Sequence, residues 1–137
     1  GCYKTVVKKK KKKTRTYCGL TKYQHTMLRK ILHQIIRKRD GRCLKCGKVS
    51  WLHASHIYPK GRYPAMQYNP ENVKALCMPC HLHWWHKAPI EAGEWVKTAI
   101  KKKRLTQLHE ESLSGLRAIF VYKEEKAKLN EYLERFC

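Results

Sequence analysis

The chain has 137 residues, 42% of them hydrophobic, which supports one modest core and excludes both a disordered chain and a pair of large domains. Its 31 Lys and Arg against 10 Asp and Glu give a formal charge of +21, so the expected partner is a polyanion, and nucleic acid comes before an anionic membrane. No apolar run approaches the length of a spanning helix and no leader pattern opens the sequence, so the expectation is a soluble, intracellular, cytoplasmic protein with no membrane partner.

The charge is uneven along the chain. Residues 1–40 hold 14 Lys and Arg against one acid, residues 41–104 hold 12 against three, and residues 105–137 hold five against six. Residues 1–20 read as a basic arm built on Lys8, Lys9, Lys10, Lys11, Lys12 and Lys13. Mutual repulsion keeps such a run extended until a polyanion neutralises it, and the plainer alternative is a solubilising tail.

From Thr21 to Asp40 the apolar residues Met27, Leu28, Ile31, Leu32, Ile35 and Ile36 recur every three or four positions. This predicts an amphipathic helix with Thr21 as N-cap and Gly41 as its stop. His33 on this helix is read as structural or solvent-facing. Cys43-Leu-Lys-Cys46-Gly47 is a knuckle, with Gly47 letting the backbone turn back on itself. Trp51 to Tyr58 is a strand candidate, residues 61–70 are turn-rich, and residues 71–76 return towards a second knuckle at Cys77 and Cys80. A helix is expected to begin near His81. A further one follows Pro89 and runs through Trp95 and Ile100 to Lys101–Arg104. One is expected on Leu105, Leu108, Leu113, Leu116 and Phe120, broken near Gly115, and a last one on Leu129, Tyr132, Leu133 and Phe136. The near-neutral tail helices serve either the core or a homodimer contact.

Seven cysteines, an odd number in a chain read as intracellular, argue against a disulfide framework. Four of them form two C-x-x-C pairs, Cys43/Cys46 and Cys77/Cys80, and four thiolates are the ligand set of a structural zinc. Such a staple suits a short hairpin that cannot bury enough surface to hold itself.

Between and after the knuckles stand Leu52-His53-Ala54-Ser55-His56-Ile57, then Asn69-Pro70-Glu71-Asn72-Val73, then Leu76-Cys77-Met78-Pro79-Cys80-His81. Over roughly residues 41–96 this order resembles the HNH endonuclease family, more narrowly its zinc-containing phage recombination and homing-type members. The resemblance implies an α+β fold in which a zinc-stapled ββα-metal core, residues 21–104 with the N-terminal helix, carries flanking α-helices and a C-terminal helical extension at 105–137. It implies a metal-dependent DNA endonuclease leaving 5′-phosphate and 3′-hydroxyl ends, with His56 as general base, Asn72 bracing the hairpin loop and His81 holding a catalytic Mg²⁺, Mn²⁺ or similar ion.

The residue chemistry is compatible with those roles, since a histidine near its ordinary pKa accepts a proton from water at neutral pH. His86 is a second metal-ligand candidate. It lies five residues beyond His81, off the same face of an α-helix unless an irregularity at Trp84-Trp85 brings it round. Ser55 stands where most of the family carries an aspartate ligand. His53, on the same strand face as Ser55, either replaces that carboxylate or caps the zinc lobe. Trp84, Trp85 and Trp95 are read as packing under that lobe, and His83 has no assigned role. Lys60, Arg62, Lys74 and Lys87 are expected around the cleft as phosphate contacts. Because of Ser55, the alternative reading is a catalytically inactive, zinc-containing DNA-binding module. RNA binding is a weaker third.

Overall fold

The computed structural model describes residues 16–113 and 118–137. The six-lysine run and the expected break near Gly115, with Leu116, lie outside them.

The first described element is not an arm. Thr16–Tyr17 (β1) and Leu20–Thr21 (β2) pair antiparallel across a turn at Cys18-Gly19, and Leu20 is buried. One apolar side chain at the end of a polar run was too weak a pattern to predict this hairpin.

Thr21 then caps the long helix α1, Lys22–Arg39, through a reciprocal pair with Gln24. The Thr21 hydroxyl accepts from Gln24 N–H at 3.2 Å, and the Gln24 side chain accepts from Thr21 N–H at 3.0 Å. The helix ends at Gly41, whose φ of +69° suits a residue without a Cβ and lets its N–H reach back to Ile36 O at 3.3 Å. Leu28, Ile31, Leu32, Ile35 and Ile36 form its buried stripe.

That stripe packs on a two-stranded antiparallel hairpin, β3 (Leu52–His56) and β4 (Val73–Cys77), in which Leu52 pairs with Cys77 and His56 with Val73. Strand alternation sends Leu52, Ala54, Val73 and Ala75 into the core with α1. The crossing between the strands, residues 57–72, is kept compact by short 3₁₀ turns at Pro64–Met66 and Pro70–Asn72.

Beyond β4 the chain turns through a π-helical segment, Cys80–Trp85, into α2, Pro89–Ala99. The helix expected to continue through Lys101–Arg104 instead stops at Ile100, which is extended (φ −122°, ψ 136°), and a new helix α3 spans Lys102–Leu113. The cationic run thus falls at the start of α3, where Lys102, Lys103 and Arg104 are exposed. The last helix, α4, spans Tyr122–Glu134 and places Leu129 in the same core as α1.

Arg39 ties these layers together. Its guanidinium pairs with Asp40 at 2.9 Å and donates to Pro70 O at 2.8 Å, Val73 O at 2.5 Å and the Tyr132 hydroxyl at 3.3 Å. Asp40 in turn accepts from Ala75 N–H at 2.9 Å. One α1 terminus is thereby hydrogen-bonded to β4, to the loop before it and to α4, which sets the hairpin's position on the helix. No described helix is long and apolar enough to cross a membrane.

Candidate functional site

The two knuckles meet at one end of the hairpin. Gly47, at φ +80°, closes the first turn with its N–H on Cys43 O at 2.8 Å, and Leu44 N–H bonds Ala75 O at 3.0 Å, so the knuckle is sewn to β4. Strand β4 delivers Cys77, and the segment after it delivers Cys80. The four sulfurs lie within 4.8 Å of one another, with Cys46 and Cys77 Sγ 3.6 Å apart. A tetrahedral zinc with bonds of about 2.3 Å sets its sulfurs about 3.8 Å apart, so this set fits the ion.

The electrostatics point the same way. Burial works against a Cys43 thiolate, but backbone groups of Cys77, Cys46 and Lys45 outweigh it and bring that thiol down to about 7. Burial pushes Cys77 up, against hydrogen bonds from Cys80 that lower it, and Cys80 is pushed up first by burial and then by the thiols of Cys77, Cys43 and Cys46. Four crowded sulfurs ionise together only around a cation. Leu76, Leu52, Trp85 and Trp95 pack beneath the cluster, while Trp84 meets Lys45 Nζ at 4.9 Å from its ring centre.

At the other end of β3 lies a cavity of about 920 Å³ between α1, α2 and α3. His56, His81, His86 and His33 line it, together with Arg29, Lys60, Lys97 and the apolar faces of Trp85 and Val96. None of its lining residues is acidic.

His56 ends β3 and is half-buried; its Nε2 lies 3.0 Å from Gln67 O. A carbonyl only accepts, so Nε2 carries the proton and Nδ1 keeps the lone pair. Burial lowers the His56 pKa, the Gln67 carbonyl opposes that, and the charges of Lys60 and His33 lower it again. The net shift is downward, leaving the ring neutral at physiological pH.

Asn72 is fully buried and holds the loop that follows His56. Its Oδ1 accepts from Tyr58 N–H at 2.9 Å, and its Nδ2 donates to Tyr58 O and Met66 O, each at 3.1 Å.

The π-helical segment settles where His86 goes. His86 N–H bonds the carbonyl of His81, five residues back, at 3.2 Å, and the extra residue in the turn brings the two rings onto one side. Their Nε2 atoms are 3.0 Å apart. Burial, then the charges of His86, His53 and His56, push the His81 pKa down to about 4, so the His81 ring is neutral.

Two imidazole nitrogens at this spacing fit a shared divalent ion, whose bonds of about 2.0–2.1 Å set neighbouring nitrogens roughly 3.3 Å apart. His53 is also drawn in: its Nδ1 lies 3.0 Å from His81 Nδ1.

Other expected residues lie elsewhere. Ser55 is 1% exposed and does not line the cavity; among the described residues its Oγ is the only buried side-chain polar atom without a hydrogen bond. Strand alternation, which turns Ser55 away from His56, is the reason. Of the four cleft cations expected, only Lys60 lines the cavity. Lys74 is half-buried on β4 among Arg39, Glu71, Asp40 and Arg104, with its pKa lowered chiefly by burial. Arg62 leans on the Tyr63 ring, and Lys87 is exposed beyond the π-helical segment.

Sequence reasoning missed Arg29 and Lys97 as cavity cations. Arg29 and His33 are four residues apart on α1, a spacing that places them together, but nothing in the sequence said what their face would meet.

Comparison with protein-family models, curated proteins and solved structures finds no match. Among the described residues the structure is a mixture of helices and two small two-stranded sheets, with four cysteines close enough together to bind a metal.

Proposed function

We propose that the chain is a metal-dependent DNA endonuclease of the HNH type, with hairpin β3–β4 and the segment Cys80–Ala99 as its ββα-metal core. The observation that carries this reading is the convergence on one basic cavity of His56, oriented through Nε2 with Nδ1 free, and the His81–His86 pair.

In this reading His56 Nδ1 takes a proton from a water as its oxygen attacks phosphorus. The P–O3′ bond breaks and the departing O3′ takes a proton from solvent water, leaving a 5′-phosphate and a 3′-hydroxyl. The Gln67 carbonyl, accepting from Nε2–H, stabilises the imidazolium that forms. Asn72 keeps the loop carrying that carbonyl in place. Arg29, Lys60 and Lys97 supply positive charge for the phosphates, and the lysine-rich N-terminus adds salt-sensitive affinity through counterion release.

His81 and His86 would hold the ion, which when bound supplies positive charge to the phosphoryl and departing oxygens. Two imidazoles without a carboxylate suit Mn²⁺ or a later first-row ion better than Mg²⁺.

The test is cleavage of supercoiled plasmid by zinc-loaded protein with Mn²⁺ or Mg²⁺, beside His56→Ala. Metal-dependent nicking by the parent should fall at least about 100-fold in the variant, the low end for a general base, with DNA affinity retained. A variant that cuts as fast as the parent refutes the role of His56. The absence of any acid in the cavity favours one other reading, a zinc-stapled DNA-binding module without catalysis, for which the parent would bind DNA and cut with no metal.

A further inference from the structure

We infer that His53 is a positioning residue: its Nδ1 accepts a hydrogen bond from His81 Nδ1–H, which fixes the tautomer in which His81 turns an Nε2 lone pair towards His86 and the cavity. This rests on the metal-site reading above and adds to it a residue that does not touch the ion.

The argument is one of proton counting. A neutral imidazole has one N–H and one lone pair. His81 meets another imidazole nitrogen at each end of its ring, His53 Nδ1 at 3.0 Å and His86 Nε2 at 3.0 Å. Two lone pairs do not face each other at that distance, so each contact holds one proton. If His81 carries its proton on Nε2, that nitrogen is closed to a metal. If it carries the proton on Nδ1, His53 is the acceptor and Nε2 is free.

The metal-site reading selects the second. His56, His81 and His86 line the cavity and His53 does not, so an ion that must meet a phosphate sits on the Nε2 side. The His53 ring stands edge-on to His81, with the planes at 89°, and is carried by β3 opposite Leu76, so the acceptor is held by the hairpin rather than by the helix it serves.

In the metal-free chain His86 Nε2 then donates to His81 Nε2. On metal binding that proton leaves Nε2, and His86, which is exposed, takes one from water on Nδ1. Both ligands end neutral and no net proton is released. Metal-bound histidines commonly donate their second ring N–H to a neighbouring oxygen acceptor, the part His53 Nδ1 takes here, and losing such a partner typically weakens binding 10- to 100-fold.

The experiment has two readouts on zinc-loaded, full-length protein: the ¹⁵N ring shifts of His81 without a second metal, and calorimetric titration with Mn²⁺. In the parent, His81 should read as the Nδ1–H tautomer. His53→Leu should lose that signature and bind Mn²⁺ 10- to 100-fold more weakly. His53→Asn, whose Oδ1 stands where Nδ1 stood, should restore the tautomer and bring affinity back to within about threefold.

An Nε2–H tautomer in the parent overturns the inference without any variant, so a poorly folding His53→Leu does not shield it. Parental Mn²⁺ affinity in His53→Leu, or an Asn variant as weak as the Leu one, overturns it as well. If the parent binds no second ion, the metal-site reading fails instead, and the tautomer still decides whether His53 is the acceptor.

Discussion

Replacing Asn72 with alanine tests how the loop behind His56 is held. The side chain is 0% exposed and makes three hydrogen bonds, to Tyr58 N–H, Tyr58 O and Met66 O. Met66 O also accepts from Asn69 N–H at 3.2 Å and so keeps a partner. The N–H and carbonyl of Tyr58 lose theirs. An unpaired buried backbone group costs roughly 1–3 kcal/mol. Taking the lower half of that range for each of the two, because the loop lies near solvent, and adding a small cavity term, the loss is about 3 kcal/mol. For a domain of this size that lowers Tm by about 10 °C.

The assay is urea and thermal unfolding followed by circular dichroism with zinc in excess, beside plasmid cleavage. The urea m-value should stay unchanged, because the same surface is exposed on unfolding. Cleavage should fall even at temperatures where the variant is folded, since Gln67 and its carbonyl lie inside the loosened loop. A stability loss below about 1 kcal/mol would refute the reasoning, because the loop would then be held by its 3₁₀ turns and not by Asn72.

Metal analysis should find one zinc per chain, and stripping it should lower Tm by at least about 10 °C, the effect of a ligand present at 1,000 times its Kd; an unchanged Tm, or no bound zinc, counts against the cluster as a staple. The pKa values of His56 and His33 are both lowered, chiefly by burial. The unfolded chain therefore takes up protons first as pH falls below about 6.5, so stability should decline from there down through the folded-state pKa values and then level off. The acid limb of the cleavage profile should likewise lie below pH 6.5, and a midpoint at or above it would contradict a depressed base. Ser55→Ala removes a buried hydroxyl that has no partner, so it should be neutral or stabilising by up to about 1 kcal/mol and leave Mn²⁺ affinity unchanged; weaker Mn²⁺ binding would place Ser55 among the ligands after all.

Much of the architecture was determined by local pattern. Thr21 followed by Gln24, the apolar stripe from Leu28 to Ile36 and Gly41 together specify α1 within a residue at either end, because caps and periodicity act over one or two turns. The C-x-x-C spacing does the same for the knuckles, since two thiolates so placed share one tetrahedral edge of an ion. What spacing does not carry is which faces meet. On an ideal α-helix His81 and His86 diverge, and only the π-helical segment Cys80–Trp85 turns them together. Strand alternation showed that Ser55 and His56 part company, yet only the fold decided that Ser55 would be sealed in, that His53 would reach His81, and that Arg29 of α1 and Lys97 of α2 would border the same cavity. These join residues far apart in the chain, 28 positions for His53 and His81 and 68 for Arg29 and Lys97, and are fixed by the shape of the packed core and by the hydrogen bonds Arg39 makes across it, so no local preference encodes them.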